Sequence, residues 1–310
     1  MSGISPGSRT RKMSHNRDNN THEMQKKDHW SATAYQSSAA FVPMLASKVL
    51  SLLNPQCGER ILDIGCGDGT LTFQIAKAVG PDGTVLGLDN SSSFITHATS
   101  TYNCDSNLRF ELQDCARLEE GTEFIAKNAA SFDKIFSNAA LHWILRDPDR
   151  RLPTLRALHT LLKPGGSLVF EMGGAGNVSE AHAALVYALV HRGFSIKEAR
   201  DTSPWFFPSA LAIACLLRTA GFSVADQDVE LEYRATRMEK KTNYGGGIEG
   251  WIRLMGATFL EKLPVEERDA AVEEVCGVLR DICSRPDGEG GEWLGYVRCR
   301  GIAKRSITSD

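Results

Sequence analysis

The sequence predicts an α/β protein: one doubly wound, mostly parallel seven-stranded sheet with a helical cap inserted before the last strand. Three observations point there. From about residue 40, short β-branched runs alternate with helix-length amphipathic stretches; apolar strands separated by helices mark βαβ crossovers, which bury both faces of a parallel sheet. A glycine cluster follows the first of these runs directly and opens a helical stretch. After residue 172 the alternation gives way to mostly helical segments before a closing strand.

The elements follow in order. Residues 41–53 read as a helix, and 61–64 (ILDI) as the first strand, buried on both faces because it is apolar almost throughout. Residues 71–79 regain helical spacing after the glycines. Segments 84–88 (TVLGL), 108–112 (LRFEL), 132–136 (FDKIF) and 167–170 (SLVF) are strands two to five, with helices near 93–102, 120–130 and 150–162 between them. The Lys163-Pro164-Gly165-Gly166 turn is expected to stop the last of these helices. Helices are expected at 179–191 and 208–220, a sixth strand at 223–233, helices at 248–262 and 265–283, and a final alternating strand at 295–303 (GYVRCRGIA). The helical segments at about 178–220 and 246–284 are expected to cap the sheet end where ligands bind in doubly wound folds.

Composition limits the function classes. The 310 residues are 42% hydrophobic and 24% charged, which excludes a wholly disordered or collagenous chain. The net charge of −3 leaves no basic surplus for nucleic acid or anionic lipid. Residues 1–29 are nearly devoid of aliphatic side chains and locally basic, and are expected to form a disordered tail before a single domain at 30–304. There is no secretory apolar segment and no run of about 18 apolar residues, so a soluble, cytoplasmic protein with no membrane contact is expected. The eight cysteines form no CxxC pair and are expected to be free thiols, and no His/Cys spacing suits a metal.

The segment 61–72 (ILDIGCGDGTLT) is the most informative. Glycines 65, 67 and 69 let the backbone turn tightly and approach a ligand that a Cβ would exclude. The spacing is G-x-G-x-G, and Asp63 and Asp68 flank it, a setting that repels phosphate and suits a cationic ligand. Asp89, at the end of the second strand, can accept both hydroxyls of a ribose. Asp114, just past the third strand, can accept the exocyclic amine of an adenine. An adenosine carrying a positively charged, amine-bearing tail satisfies all of these, and S-adenosylmethionine is such a molecule.

With these pieces in register, residues 30–304 resemble the class I S-adenosylmethionine-dependent methyltransferases, a Rossmann-like fold family. The closest likeness is to the trans-aconitate methyltransferase-like group and the related malonyl-carrier-protein methyl-ester group. It rests on 137–143 (SNAALHW), on 204–209 (PWFFPS) before a helix ending in Ala220-Gly221-Phe222, and on the late helical insert. The resemblance implies cofactor contacts from Asp63, Gly65, Cys66, Gly67, Gly69, Asp89, Asn90, Asp114, Cys115 and Asn138. It also implies that the segment carrying Trp30 and Tyr35 folds over the cofactor. Where that group has Gln, this chain has His142, which either deprotonates an acceptor hydroxyl or orients a carboxylate, or else bonds backbone and shapes the pocket floor. Trp143, Trp205, Phe206 and Trp251 are the expected acceptor pocket, and Asn138-Ala-Ala-Leu lacks the Asn-Pro-Pro-aromatic signature of base methylation. Metal-independent transfer to an O or N atom of a small-molecule metabolite is therefore expected, on a carboxylic acid or in secondary-metabolite tailoring. Methylation of protein or RNA, and a non-catalytic cofactor-binding regulator, are the alternatives.

Overall fold

A computed structural model describes residues 46–102, 106–238, 246–285 and 291–307. The expected basic tail, Trp30, Tyr35 and the start of the first predicted helix lie outside the described residues. The elements are α1 (Ser47–Leu53), β1 (Arg60–Ile64), α2 (Thr70–Val79), β2 (Thr84–Asp89), α3 (Ser92–Thr101), β3 (Leu108–Leu112), α4 (Thr122–Asn128) and β4 (Phe132–Asn138). There follow α5 (Leu141–Ile144), α6 (Pro148–Leu161), β5 (Leu162–Gly173), α7 (Ser179–His191), α8 (Ile196–Asp201), α9 (Ala210–Thr219) and β6 (Val229–Met238). The chain closes with α10 (Gly247–Met255), α11 (Ala257–Leu260), α12 (Val265–Ile282) and β7 (Glu292–Lys304).

The sheet has seven strands in the order β3-β2-β1-β4-β5-β7-β6. Strands β1 to β5 run parallel, and β7 is antiparallel to both β5 and β6. This is the Rossmann-like architecture the sequence predicts. The winding reverses between β1 and β4, so a crevice opens past their carboxyl ends, the usual ligand site of doubly wound sheets.

Local chemistry explains why the elements stop and start where they do. Ser91 caps α3 by accepting the Phe94 amide at 3.2 Å, and Asp147 caps α6 through the Asp149 amide, with Pro148 at the first helical position. Leu62, Ile64, Phe132 and Phe170 form one face of the core with α6 and α9. Val49, Leu53, Ile75 and Phe136 form the other with α1 and α2.

Several features differ from the expectation. The Pro164-Gly165-Gly166 turn lies inside β5 as a bulge: the register jumps from Phe132↔Leu162 to Lys134↔Ser167. Gly165 holds φ 81° there and donates to the Arg305 carbonyl at 2.9 Å. The sixth strand begins at Val229 because a 3-10 turn, Asp226–Asp228, intervenes. The expected helix at 248–262 breaks at Gly256, where a Cβ would sit 3.0 Å from the Leu185 side chain. Finally, α9 is not part of the cap, since Ile213, Ala214 and Leu217 bury themselves in the sheet core. The second cluster joins α7 and α8 to α10, α11 and α12.

Phe170 is fully buried, so Phe170→Ala is expected to lower stability by about 3–5 kcal/mol, measured by urea denaturation.

Candidate active site

The crevice contains a cavity of about 470 Å³, within the range of small-ligand sites. Its first wall is the glycine loop after β1. Three successive amides tie this loop to the end of β2. The Gly65 and Cys66 N–H groups donate to the Leu88 carbonyl at 2.8 and 3.0 Å, and Gly67 N–H donates to Asp89 Oδ2 at 3.0 Å. Gly65 has φ 72°, and a Cβ on it would fall 2.2 Å from Ala140 Cβ. A Cβ on Gly67 would meet nothing within 4 Å, so this edge of the loop is open to the cavity that it lines.

Asp89 is buried and also accepts the Ser91 amide at 2.9 Å. Asp114 accepts the Ala116 amide at 3.0 Å, capping the 3-10 turn Cys115–Glu120. Gly65, Gly67, Asp89, Asn90, Asp114 and Cys115 all line the same cavity. Burial, with the Asp89 and Asp114 charges, raises the Cys115 pKa, so this thiol stays protonated at neutral pH.

Three predicted contacts do not reach the cavity. Asp63 points into the core beneath the loop and accepts from Thr72 Oγ1 at 2.7 Å. The strand end is legible in sequence, but the side a carboxylate takes there depends on packing. Cys66 lies under the loop beside Gly87, and Gly69 precedes α2 in the left-handed conformation at φ 82°. Asp68 likewise serves the helix start, accepting the Thr70 amide at 3.1 Å.

The floor follows β4. Ser137 Oγ donates to the Ile64 carbonyl at 2.8 Å, and Ala139 adopts φ 56°, a strained conformation for a residue with a Cβ. Asn138 lines the cavity, and its Oδ1 is buried with no hydrogen-bond partner among the described residues. A buried acceptor of this kind calls for a donor. His142 Nδ1 accepts the Gly173 N–H at 3.3 Å, which places the proton of the neutral ring on Nε2. Burial, reinforced by the Arg298 charge, holds the His142 pKa well below its ordinary value.

The remaining wall is aromatic. Trp205 stacks on Phe207 with centroids 5.6 Å apart and meets Trp143 edge-on at 5.7 Å. Trp251 on α10 donates to the Tyr296 hydroxyl at 2.6 Å, joining cap to sheet. Trp143, Trp205 and Trp251 line the cavity. Phe206 does not: it packs on the sheet core while Trp205 and Phe207 pack on the cap cluster, and the Arg151 guanidinium covers the Phe206 ring at 3.7 Å. Phe207 takes its place. Sequence reasoning also missed Tyr296 and Arg298 of β7, which line the cavity. Their signal was the alternation in GYVRCRGIA, which puts Tyr296, Arg298 and Arg300 on one face of a strand.

A family model described as a methyltransferase domain matches residues 56–199. The uncharacterized methyltransferase C70.08c of Schizosaccharomyces pombe is 32% identical over 278 residues, which are 90% of this chain and 98% of that protein. The chain belongs to the class I S-adenosylmethionine-dependent methyltransferases. This methyltransferase is also 30% identical over 266 residues to nocamycin O-methyltransferase of Saccharothrix syringae, covering 80% of the chain and 86% of that protein. It is 26% identical over 269 residues to trans-aconitate 2-methyltransferase of Methylobacterium radiotolerans, covering 84% and 92%. The likeness to the trans-aconitate group is thus real and distant.

S-adenosylmethionine is the cofactor, and the residues of this methyltransferase fit it. The open edge at Gly67 admits a closely approaching ligand. Asp89 and Asp114 bring carboxylates to one end of the cavity, and the unsatisfied Asn138 Oδ1 suits an ammonium donor. When bound, the cofactor supplies an electrophilic methyl group on a sulfonium.

Burial pushes the Asp63 carboxyl up to about 7; the Thr72 hydrogen bond partly offsets this, and the Asp89 charge adds to it. The folded form therefore holds a proton that the unfolded chain releases near pH 3.8. The associated stability is fully present below about pH 4 and lost as the pH rises to about 7. Asp63→Asn is expected to gain on the parent across that window, by up to about 1.4 kcal/mol per pH unit. Urea denaturation at a series of pH values checks this, and a constant difference would contradict it.

Proposed function

We propose that the methyltransferase transfers the S-adenosylmethionine methyl group to an oxygen or nitrogen atom of a small metabolite, with a carboxylic acid or tailored secondary metabolite as the acceptor class. The observation that carries this reading is the aromatic lining at one side of the cavity. Trp143, Trp205, Phe207 and Trp251 line a cavity of small-molecule size, with Trp251 contributed by the cap helix α10.

Transfer of a methyl group is an in-line displacement at carbon, so positioning and exclusion of water supply much of the acceleration. In this reading the tryptophans that line the cavity keep water from the transferring methyl group. His142 is neutral with its proton on Nε2, so in this reading it donates a hydrogen bond that orients the acceptor and does not withdraw a proton. An ionised carboxylate needs no base, which agrees with that assignment. The nocamycin and trans-aconitate relatives named above support a small-molecule acceptor. Among the described residues no helix is long and apolar enough to cross a membrane, and the seven described cysteines are free thiols, which suits a cytoplasmic setting. With no basic surplus on the chain, nucleic acid is not part of this reading.

The purified protein, incubated with methyl-labelled S-adenosylmethionine and a metabolite extract freed of macromolecules, is expected to yield a labelled small molecule identifiable by mass spectrometry. Label found only after macromolecules are restored would refute the reading. Asp89→Ala removes the acceptor for the Gly67 and Ser91 amides and is expected to weaken S-adenosylmethionine binding about tenfold or more by calorimetry. The pH profile of kcat/KM is expected to show no inflection from His142 between pH 6 and 8, because the ring is already neutral across that range.

A further inference from the structure

A buried charge cluster spans the last three strands. Glu171 of β5 lies opposite Arg300 of β7, Arg298 lies between Gly173 and Glu232, and Arg234 of β6 pairs with Tyr296, so these side chains share one face of the sheet. Glu171 and Arg300 are each 1% exposed and Arg298 is 3% exposed. Arg300 is fully engaged: Nε donates to Glu171 Oε2 at 2.8 Å, Nη1 to Glu230 Oε1 at 2.6 Å and Nη2 to Glu232 Oε2 at 3.0 Å.

Arg298 is held differently. Its Nε donates to Glu171 Oε1 at 3.0 Å, an oxygen that Arg234 Nη1 also approaches at 3.7 Å. Among the described residues no hydrogen bond reaches its two Nη groups, and the residue lines the cavity beside the aromatic wall. Its guanidinium also lies 5.8 Å from the Tyr296 ring centroid, but a buried guanidinium with one shared carboxylate and one ring at that distance is incompletely compensated. Two parallel N–H bonds presented by Nη groups match the two oxygens of a carboxylate. The Glu171 bond to Nε fixes the plane of that fork in advance, which lowers the ordering cost of binding.

We propose that Arg298 selects acceptors bearing a carboxylate, gripping it through both Nη groups while Glu171 anchors its Nε edge. This rests on the small-molecule reading above and adds the residue and the chemical class. One guanidinium matches a carboxylate monoanion better than a phosphate dianion. The cofactor's own carboxylate is a poorer match. Asn138 is on β4, and two strand spacings, roughly 10 Å, separate β4 from the β7 backbone that carries Arg298.

The test titrates the wild-type protein, saturated with S-adenosylhomocysteine, against succinate, trans-aconitate, benzoate and octanoate and against their methyl esters, following tryptophan fluorescence. At least one acid is expected to bind about tenfold or more tightly than its ester. Acids that all bind no better than their esters, or not at all, overturn the proposal. Arg298→Met is expected to abolish the preference while S-adenosylhomocysteine affinity stays within about twofold, and Arg298→Lys, which keeps the charge but loses the fork, to retain part of it. A preference that persists in Arg298→Met overturns the proposal, as does a tenfold loss of S-adenosylhomocysteine affinity, which would assign the guanidinium to the cofactor. If Arg298→Met does not fold, the wild-type titration alone decides. Failure to methylate any small molecule would sink the functional reading without altering this equilibrium measurement.

Discussion

Three consecutive backbone amides clipped to the end of β2 hold the site together. Gly65 and Cys66 share the Leu88 carbonyl, and Gly67 takes the Asp89 carboxylate. That arrangement turns the chain away from β1 at the reversal of winding and opens one edge of the loop to the cavity. It also demands that position 65 have no side chain, because Ala140 occupies the space a Cβ would need. The same contact brings the end of β4, with Asn138, and the chain after it, with His142, against the loop. A single hydrogen-bonded turn thus sets the distance between the cofactor end and the acceptor end.

The parts of this molecule that could be read from sequence are those governed by short-range chemistry. Runs such as ILDI and TVLGL announce strands buried on both faces, and the glycines with Asp89 and Asp114 announce a ligand of particular charge. What depended on side-chain direction was harder to read. Asp63 and Asp89 both lie near strand ends, yet packing sends one into the core and the other to the cavity. In 204–209 the aromatic residues were evident, but not whether Phe206 or Phe207 turned inward. The apolar stripe of α9 was equally plain, and only the sheet it met decided that it belonged to the core and not to the cap. Arg298 was hardest, since its partner Glu171 lies 127 residues away.

The cavity carries charge of both signs, sorted by strand order. Asp89 and Asp114 come from the β2 and β3 side of the sheet and Arg298 from β7, with Arg146 and a neutral His142 supplied by the chain after β4. A sulfonium and an anionic acceptor placed in such a field are each drawn to the appropriate end, so electrostatics sorts the two reactants before packing aligns them. Burying these charges is costly, and Glu171 offsets part of that cost by serving Arg298 and Arg300 together.

The position of β7 has a consequence for how the chain acquires its structure. Among the described residues it is the last strand in sequence but sits between β5 and β6, and β6 pairs with no other strand. Until the final described residues are in place, β6 has no partner in the sheet and one edge of β5 remains open, a state prone to mispairing. The cofactor end, drawn from β1 to β4, is built from parallel crossovers complete much earlier in the chain. Of the residues that line the acceptor end, Tyr296 and Arg298 come with the last strand, after Trp143, Trp205, Phe207 and Trp251. In the order of the chain, the strands that supply the cofactor end therefore come first, and the strand that closes the sheet comes last.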